Sequence, residues 1–260
     1  MEIKLLHLNI EKHKHVDKVG RLLETHSPDI VCLVEVVKSD IPALTDGLQY
    51  NFVYSPLEPY GDDDSEGSAI LSKTYIQDSS EFGYNEKQSE SNNRKKDTRS
   101  LKGNRPQERF SYNYSVLTAL VNVGGGVSLH IATTHFPVFD HSTPGYKDHT
   151  FDEIGDVDEW TRIRAYTDRL MSVIKKLQAP LIFTADLNSP RGEYTYNALA
   201  HELVDKTPKN IDSTLDPTHR ASGLKLVVDA IMTSPDVNIP RVKVIEGVSD
   251  HKALLATVLI

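Results

Sequence analysis

Residues 30–37, which read Ile-Val-Cys-Leu-Val-Glu-Val-Val, restrict the possible folds of this chain more than any other segment. Seven of the eight residues are apolar, and the run follows the turn-forming pair Pro28-Asp29. An almost continuous apolar run of this length is typical of a strand whose two faces are both covered by other parts of the protein. We therefore expect residues 30–37 to form an interior strand.

Strand patterns and helix patterns alternate along the rest of the chain, with short connections between them. Apolar residues at helical spacing predict helices at residues 17–25 and 160–177, of which the second is the clearer. A glycine turn at residues 124–126 separates two strands of a predicted hairpin, residues 115–123 and 127–134. Further strands are predicted at residues 3–10, 68–72, 181–185, 226–233 and 253–260. Because the sequence shows neither an internal repeat nor a linker, we interpret residues 1–260 as a single domain.

The composition is that of an ordinary globular protein with an acidic surface. Hydrophobic residues make up 38% and charged residues 25% of the chain, and the formal net charge is -8. This charge argues against a protein that binds nucleic acid with its whole surface, but it is compatible with a local basic patch. No apolar run is long enough to cross a bilayer. The chain enters a strand pattern directly after Met1 and has one cysteine, Cys32, so we expect a cytoplasmic protein without a signal peptide.

Residues 84–109 form a polar segment that interrupts the alternation of predicted strands and helices. From Lys87 to Arg109 the segment contains eight Lys or Arg residues and three acidic residues, which is a local net charge of +5. A loop of this length is usually either functional or disordered. One interpretation is a flap that contacts phosphate, and the other is a solvated insertion. Residues 141–159, which are rich in acidic residues, are interpreted as a surface loop.

Polar residues suited to catalysis lie at or near the ends of the predicted strands. Asp186 and Asn188 flank Leu187, so in an extended chain their side chains point the same way. Asp229 lies within an apolar strand pattern, where a carboxylate is costly unless it is paired or bound to a metal. Singly, each of these residues has an ordinary interpretation, such as a turn cap or a satisfied core histidine. The full set, which indicates a site when taken together, comprises Asn9, Glu11, Glu35, His135, Asp186, Asn188, Asp229, Asp250 and His251.

In order and spacing, these residues resemble those of the endonuclease/exonuclease/phosphatase superfamily of metal-dependent phosphoesterases. The resemblance extends over essentially the whole chain, from Asn9 to Asp250-His251. It implies the DNase I-like fold of the α/β class, a four-layer α/β/β/α sandwich with two packed mixed β-sheets. It also implies a site at one rim, a Mg²⁺ or Mn²⁺ cofactor and hydrolysis of a phosphate ester.

The resemblance implies a group of residues around the metal. Glu35 matches the principal metal ligand of the family, and Asp250 matches a carboxylate on the metal side. Asn9 matches the first-strand Asn near the metal and the phosphate, and Glu11 lies where some members have a further acidic metal contact. Carboxylate oxygens are preferred ligands of hard divalent cations, which agrees with these assignments.

The resemblance also implies a group of catalytic residues. Asp186 matches the Asp that orients or deprotonates the attacking water, and Asn188 matches the Asn that holds a phosphate oxygen. His251 matches the catalytic histidine, and Asp229 matches the carboxylate that orients it. His135 matches a histidine found in one half of the superfamily. Chemically, Asn188, His135 and His251 are able to donate hydrogen bonds to phosphoryl oxygens.

The segment Thr134-His135-Phe136 narrows the resemblance to one branch. It is similar to the Thr-His-Leu motif of the branch that contains pancreatic-type deoxyribonucleases, sphingomyelinases, inositol polyphosphate phosphatases and tyrosyl-DNA phosphodiesterases. These enzymes share chemistry but not substrates, so the motif leaves the substrate open.

The first substrate hypothesis is nucleic acid, hydrolysed by a nuclease or a DNA-end-processing phosphodiesterase. Arg94, Lys95 and Lys96 would follow a phosphate backbone, and Tyr112 would stack on a base, although core packing of Tyr112 is an equal alternative. The second hypothesis is a phosphomonoesterase for an inositol phosphate or another small phosphorylated substrate, which the same basic segment would serve. The third is a catalytically inactive binding scaffold, which the complete set of motif residues argues against. No convincing membrane-binding element is found.

Overall fold

The computed structural model describes residues 1–61, 63–84, 113–138, 159–178 and 180–260. Within these ranges the strands form two six-stranded sheets. The strands of the first sheet are β1 (Glu2–Asn9), β2 (Ile30–Val37), β3 (Asn51–Tyr60), β4 (Asp64–Ser72), β11 (Asn238–Ile245) and β12 (Ala253–Leu259). The strands of the second sheet are β5 (Ile76–Gly83), β6 (Ser115–Gly124), β7 (Val127–His135), β8 (Leu181–Asp186), β9 (Val204–Asp205) and β10 (Asp229–Thr233). The spatial orders are β11-β12-β1-β2-β4-β3 and β5-β6-β7-β8-β10-β9.

Each sheet is mixed, with one parallel pair among the described strands. β1 pairs in parallel with β2, and β7 pairs in parallel with β8, whereas the other described pairs are antiparallel. The carboxyl ends of parallel strands lie at the same edge of a sheet. The carboxyl ends of β1 and β2 therefore lie at one edge of the first sheet, and those of β7 and β8 lie at one edge of the second. Polar side chains from different strands can meet at these edges.

Four described α-helices cover the outer faces of the two sheets. They are α1 (Val16–His26), α2 (Ile41–Thr45), α3 (Glu159–Ile174) and α4 (Tyr194–Glu202). Buried side chains of α1 and α2, such as Leu23 and Leu44, pack on the first sheet, and side chains of α3 and α4, such as Leu170 and Leu199, pack on the second. A third apolar cluster lies between the sheets, where Leu5 of β1 packs with Ile182 of β8. The predicted four-layer α/β/β/α sandwich is therefore confirmed.

The observed elements differ from the predicted ones at several boundaries. β4 begins at Asp64 rather than at residue 68, and β10 begins at Asp229 rather than at residue 226. The apolar pattern predicted that Asp229 lies inside its strand. Asp229 is instead the first residue of β10. Four strands, β3, β5, β9 and β11, and the helices α2 and α4 were not predicted.

Two predicted segments lie wholly or mostly outside the described residues. They are the basic segment 84–109, of which only Tyr84 is described, and the acidic segment 141–159. Within the part of the chain that is described, no helix is long and apolar enough to span a membrane.

Gly67 on β4 has no room for a side chain. A Cβ added there would lie 2.0 Å from the carbonyl oxygen of Ser55 and 2.9 Å from the hydroxyl of Tyr54. The residue neighbours Glu66, which lines the site described below. We therefore expect Gly67→Ala to destabilise the protein by about 1–3 kcal/mol, the usual cost of overpacking.

Gly20 provides the matched control for this prediction. It lies within α1, and a Cβ there would meet no atom within 4 Å. Gly20→Ala should therefore stabilise the protein by about 0.5–1 kcal/mol, because alanine favours the helix. Urea denaturation of both variants measures the two effects, and a Gly67→Ala protein as stable as the wild type would contradict the prediction.

Candidate active site

Three polar side chains lie side by side at one end of the second sheet. The register pairs His135 of β7 with Asp186 of β8, and Asp186 with Asp229 of β10. Asp186 and Asp229 are 1% and 0% exposed. Two buried carboxylates on adjacent strands repel one another unless donors or cations satisfy them, so this edge of the sheet requires partners from elsewhere.

Asn9, the last residue of β1, supplies the first of these partners and links the two sheets. Its Nδ2 donates to Asp186 Oδ2 at 3.0 Å and to Glu35 Oε1 at 2.8 Å. Its Oδ1 accepts a hydrogen bond from the backbone N–H of Glu11. Asn9 therefore holds two carboxylates next to each other through its amide group, while its oxygen, the atom able to bind a metal, already accepts one hydrogen bond.

Glu35 reaches the site because β2 contains a bulge. The register of β2 with β4 shifts between Leu33 and Val36, and Glu35 has a φ of 51°, in the left-handed region. A bulge re-aims the side chain that it contains. β2 runs from Ile30 to Val37 as predicted, so Glu35 lies inside the strand, two residues before its carboxyl end.

Left-handed backbone is concentrated at this site. Of the seven non-glycine residues with positive φ in the described ranges, four line the same cavity, namely Glu11, Lys12, Glu35 and Asn188. Each such conformation costs on the order of 1–3 kcal/mol and is found most often at functional sites. Asn188 has a φ of 46°, so the chain is not extended there, and the alternation argument that paired it with Asp186 was wrong even though both residues line the cavity.

His251 and Asp229 form a buried pair. Nδ1 of His251 donates to Asp229 Oδ2 at 2.8 Å. Burial alone would lower the pKa of His251, but the negative charges of Asp229 and Asp186, together with this hydrogen bond, outweigh burial and raise the pKa to about 10. His251 is therefore protonated at neutral pH, and its Nε2 lies 3.7 Å from Asp186 Oδ2.

Asp229 has a second histidine partner that was not predicted from the sequence. His7 of β1 is fully buried, and its Nε2 lies 3.3 Å from the other carboxylate oxygen, Asp229 Oδ1. Burial would raise the pKa of Asp229, but the positive charge of His251 and the hydrogen bonds from both histidines hold it well below its usual range. Asp229 is thus an ionised carboxylate with one histidine on each oxygen, which satisfies its need for partners.

His135 and Asn188 are also hydrogen-bonded to each other. Nδ2 of Asn188 donates to the carbonyl oxygen of Phe136 at 2.9 Å and lies 3.0 Å from Nε2 of His135. Because Nδ2 is a donor, Nε2 of His135 acts as the acceptor in this arrangement. A phosphoryl oxygen would have to replace one of these partners to receive a hydrogen bond from either side chain.

A cavity of about 680 Å³ opens over these residues. Its lining includes six carboxylates, of Glu11, Glu35, Glu58, Glu66, Asp186 and Asp250, and the basic side chains of Lys12, Lys14 and Arg220. Burial raises the pKa of Glu66 to about 7, with a further contribution from Glu35. Burial also raises the pKa of Asp250, as do the nearby charges of Glu11 and Glu35, although His251 opposes the change.

This donor set fits a hard divalent cation. Ligand atoms of Glu35, His135 and Asp186 lie within 4.8 Å of one another. Carboxylates that repel one another in a partly buried cavity are stabilised by a bound cation, and oxygen ligands suit Mg²⁺ or Mn²⁺. Glu35 and Asp186 supply the carboxylates of this group, whereas Asp250 belongs to a separate group with His219 and His251. Asn9 donates to Glu35 and Asp186, and Glu11 is already paired with Lys14 and His15.

Lys12 partly balances the acidic wall of the cavity. Its Nζ lies 2.6 Å from Glu66 Oε2 and 3.0 Å from Glu58 Oε1. These two carboxylates are cross-strand neighbours on β3 and β4. The pairing leaves Glu35, Asp186 and Asp250 as the carboxylates of the cavity without a lysine partner within the described ranges.

The structure brings together the nine residues that were predicted to be catalytic or to hold a metal, all of which lie in its described ranges. Seven line the cavity, and Asn9 and Asp229 lie behind them. The predicted substrate contacts Arg94, Lys95, Lys96 and Tyr112 lie outside the described residues. The polar lining residues that the sequence analysis missed are Lys12, Lys14, His15, Glu58, Glu66, Thr218, His219 and Arg220, and it also missed His7 behind the lining. The only sequence signal for Glu66 as a site residue was an acidic residue next to a glycine, which is too common to single it out. Residues 218–220 gave no signal, because they follow no strand or helix pattern.

Comparison with solved structures shows the same fold at low sequence identity. The human Nocturnin catalytic domain with bound sulfate anion has a TM-score of 0.69 and 16% identity, covering 99% of this chain and 93% of that chain. Mannosyl-6-phosphatase from Bacteroides thetaiotaomicron has a TM-score of 0.69 and 15% identity, covering 99% and 100%. Humanized D. rerio TDP2 with 14 mutations has a TM-score of 0.64 and 17% identity, covering 100% and 99%. At these identities the likeness concerns the fold alone.

Comparison of the sequence with models of protein families is more specific than comparison of folds. No curated protein sequence matches the chain. A model of the Endonuclease/Exonuclease/phosphatase family matches residues 6–251, a range that begins in β1 and ends at His251. Because this match covers nearly the whole chain and includes every residue of the site, the protein belongs to the Endonuclease/Exonuclease/phosphatase family, whose members are phosphoester hydrolases.

Proposed function

We propose that this protein is a divalent-cation-dependent phosphodiesterase that hydrolyses nucleic acid, as a nuclease or as an enzyme that processes DNA ends. The observation that carries the proposal is the convergence of Glu35, Asp186 and the Asp229–His251 pair on one cavity. Acidic metal ligands, a carboxylate beside them and a protonated histidine are the groups that phosphoester hydrolysis requires.

Each group has a defined task in the proposed mechanism. Glu35 and Asp250 would hold Mg²⁺ or Mn²⁺, and the bound cation would neutralise negative charge on the phosphate. Asp186 positions a water for attack on phosphorus, in line with the ester oxygen that departs, and accepts a proton from that water. The new P–O bond forms as the bond to the departing oxygen breaks, and that oxygen takes a proton from solvent water. His251 donates from Nε2 to a phosphoryl oxygen and stabilises the charge that develops there. Asn9 keeps Asp186 and Glu35 in place through its two hydrogen bonds.

The extent of the cavity supports a phosphodiester as the substrate. Beyond the catalytic residues, the lining includes Lys12, Lys14 and His15 of the 3-10 helix Lys12–His15, and Thr218 to Arg220 of a later loop. Lys12 is paired with Glu58 and Glu66, and Lys14 and His15 are paired with Glu11. The extent of the cavity over two separate segments, rather than free positive charge, therefore suits a substrate that continues beyond the reacting phosphate. The basic residues 94–96 and Tyr112 remain proposed contacts to the same substrate.

A small phosphomonoester is the second candidate substrate. A cavity of about 680 Å³ is within the size range of small-molecule sites, and one structure with this fold is a mannosyl-6-phosphatase. The acidic net charge of the chain also favours a compact substrate over a long polyanion.

Hydrolysis assays in parallel discriminate between these substrates. The panel contains plasmid DNA, a single-stranded oligonucleotide, inositol phosphates and mannose 6-phosphate, each with Mg²⁺ or Mn²⁺ and with EDTA. His251→Ala protein, purified in the same way, measures contaminating activity. We expect cation-dependent cleavage of the nucleic acids, and turnover of the monoesters alone would favour the second candidate. An absence of cation-dependent turnover on every substrate would contradict the proposed function.

Glu35→Gln should weaken cation binding. The variant keeps the size of the side chain and a carbonyl oxygen but loses the negative charge that attracts the cation. We expect the apparent dissociation constant for Mn²⁺ to rise at least about tenfold, measured by calorimetry without substrate. Glu24→Gln on the exposed face of α1 is the matched control. Equal Mn²⁺ affinity in the two variants would remove Glu35 from the metal site.

A cytoplasmic location is also part of the proposal. The single cysteine, Cys32, is fully buried in β2, and burial raises its pKa to about 12. An inert buried thiol of this kind suits a reducing compartment.

A further inference from the structure

The loop of residues 213–222, called the 213–222 loop below, is fixed to the catalytic residues by its backbone. The N–H of Asp216 donates to the carbonyl oxygen of Asp250 at 2.8 Å, and the N–H of Lys252 donates to the carbonyl oxygen of Thr214 at 2.8 Å. Thr214 Oγ1 accepts from the N–H of Asp229 at 3.0 Å. The loop is therefore attached to both members of the Asp229–His251 pair or their immediate neighbours.

The carboxylate of Asp216 shapes the loop itself. Oδ2 accepts from the N–H of Gly247 at 2.7 Å, and Oδ1 accepts from the N–H and the hydroxyl of Thr218 at 3.1 and 2.9 Å. These bonds place residues 218–220 over the cavity that holds the catalytic residues. Three hydrogen bonds to the Asp216 carboxylate thus fix the backbone on which residues 218–220 lie.

His219 is the residue that this loop presents to the cavity. Its backbone N–H donates to the carbonyl oxygen of Asp216 at 2.9 Å, and its ring Nδ1 accepts from the N–H of Ala221 at 2.9 Å. Because Nδ1 is an acceptor, the proton of the neutral ring lies on Nε2. The side chain is 13% exposed, and its ring meets the ring of His251 edge to face, with centroids 5.2 Å apart and planes at 85°.

The Nε2–H of His219 has no close acceptor among the residues that the structure describes. The nearest carboxylate oxygen recorded for it is Asp250 Oδ2, at 3.7 Å, which is beyond hydrogen-bond distance. A donor held beside the catalytic histidine and lining the cavity is suited to an oxygen atom of a bound ligand.

A second metal site is the competing interpretation of this cluster, and the hydrogen bonds argue against it. Ligand atoms of His219, Asp250 and His251 lie within 4.8 Å of one another. A histidine binds a metal through a nitrogen lone pair. In His219 the lone pair of Nδ1 accepts the N–H of Ala221, and Nε2 carries the proton. In His251, Nδ1 is bonded to Asp229.

We propose that His219 is a substrate-binding residue whose Nε2–H donates to an oxygen of the phosphoester beside His251. The inference rests on the proposed function for the identity of the ligand as a phosphoester. The residues at the strand ends already contact the phosphate in the proposed mechanism, and His219 adds a contact from the 213–222 loop. The reacting phosphate is then bound both by the strand ends and by this loop.

Two variants and a control test this contact. His219→Leu removes the donor, whereas His219→Gln retains an N–H group near the position of Nε2. His201→Leu changes a histidine that is 85% exposed on α4 and serves as the matched control. The measured quantities are the affinity for inorganic phosphate with Mg²⁺ and kcat/KM for bis-p-nitrophenyl phosphate. We expect His219→Leu to lower both about tenfold or more relative to His201→Leu, and His219→Gln to lower them less.

A spectroscopic measurement tests the inference without catalysis. In protein labelled with ¹⁵N-histidine, two-bond ¹H–¹⁵N correlation identifies the protonated nitrogen of each ring. We expect the Nε2–H tautomer for His219 and a shift of that nitrogen when inorganic phosphate is added. The Nδ1–H tautomer, or phosphate affinity and kcat/KM in His219→Leu equal to those of the control, would overturn the inference, as would direct binding of Mn²⁺ by His219.

The outcomes separate this inference from the proposed function. Phosphate binding that depends on His219, in a wild-type protein that hydrolyses no substrate, would support the contact and contradict the proposed function. Hydrolysis by the wild type that His219→Leu leaves unchanged would support the proposed function and overturn the contact.

Discussion

His251→Ala is expected to lower kcat by at least about 10²-fold. His251 is 5% exposed, and Asp229 raises its pKa to about 10, so the wild-type side chain presents a proton to the cavity at neutral pH. Alanine removes both the positive charge and the Nε2–H donor. The loss acts mainly on the transition state, where charge on the phosphoryl oxygens is greatest, so we expect a small change in KM.

The control for this variant is His201→Ala, which changes an exposed histidine outside the site. Circular dichroism and thermal unfolding show whether the fold persists. Asp229→Asn is informative beside them, because it keeps His251 but removes the charge that favours its protonated form. Near wild-type turnover in folded His251→Ala protein would exclude this histidine from the reaction.

Asp186→Asn is expected to have an effect of similar size, at least about 10²-fold on kcat. The substitution preserves the volume of a residue that is 1% exposed but removes the acceptor that positions and deprotonates water. It also places an amide against Asn9 Nδ2, which now donates to Asp186 Oδ2 at 3.0 Å. The other oxygen, Asp186 Oδ1, accepts from the backbone N–H of Asn188, so in either orientation the new NH₂ group would face a donor. It would disturb either Asn9, and through it Glu35, or the backbone at Asn188.

Two measurements separate the chemical role of Asp186 from this disturbance. Mn²⁺ affinity reports on Glu35, and single-turnover kinetics at saturating Mn²⁺ report on the chemical step. Asp212→Asn, at an exposed ion pair with Lys225, is the matched control. If saturating Mn²⁺ restored full turnover to Asp186→Asn, Asp186 would be a supporting residue of the metal site and not the base.

The interior strands of this protein were predictable from local pattern, and the edge strands were not. β2 was predicted from its apolar run, and all of its side chains except that of Glu35 are buried. The four strands that were missed, β3, β5, β9 and β11, are the outermost strands of the two sheets. Five consecutive residues of β5, at positions 77–81, are exposed, so its sequence lacks the apolar alternation that identifies a strand.

The proximity of the candidate site residues was also expected from the sequence, because the family resemblance selected them and strand ends at one rim bring their polar residues together. Asn9, Asp186 and His251 were chosen from the sequence and its resemblance to the family, and they lie close together with Asp229. Asn9 donates to Asp186, His251 donates to Asp229, and Nε2 of His251 lies 3.7 Å from Asp186 Oδ2. The resemblance assigned Asn9 to the neighbourhood of the metal, and the structure adds that its amide group joins Glu35 to Asp186.

Other features of the site required the folded chain. The bulge that turns Glu35 towards Asn9 depends on the pairing of β2 with β4. In the sequence His7 looks like an ordinary strand residue, and only the folded structure shows that it contacts Asp229 of β10. His219 lies in a loop without a regular sequence pattern.

One physical reason explains why some features were predictable from the sequence and others were visible only in the folded structure. A sequence pattern reports which side of a single strand is buried, and that information extends over a few residues. The contacts that define this site join residues far apart in the chain, 177 positions for Asn9 and Asp186 and 222 positions for His7 and Asp229. Local sequence was therefore sufficient for the interior strands, and the resemblance to the family supplied the layers and the candidate residues, whereas the partner of each residue followed from how the two sheets pack face to face.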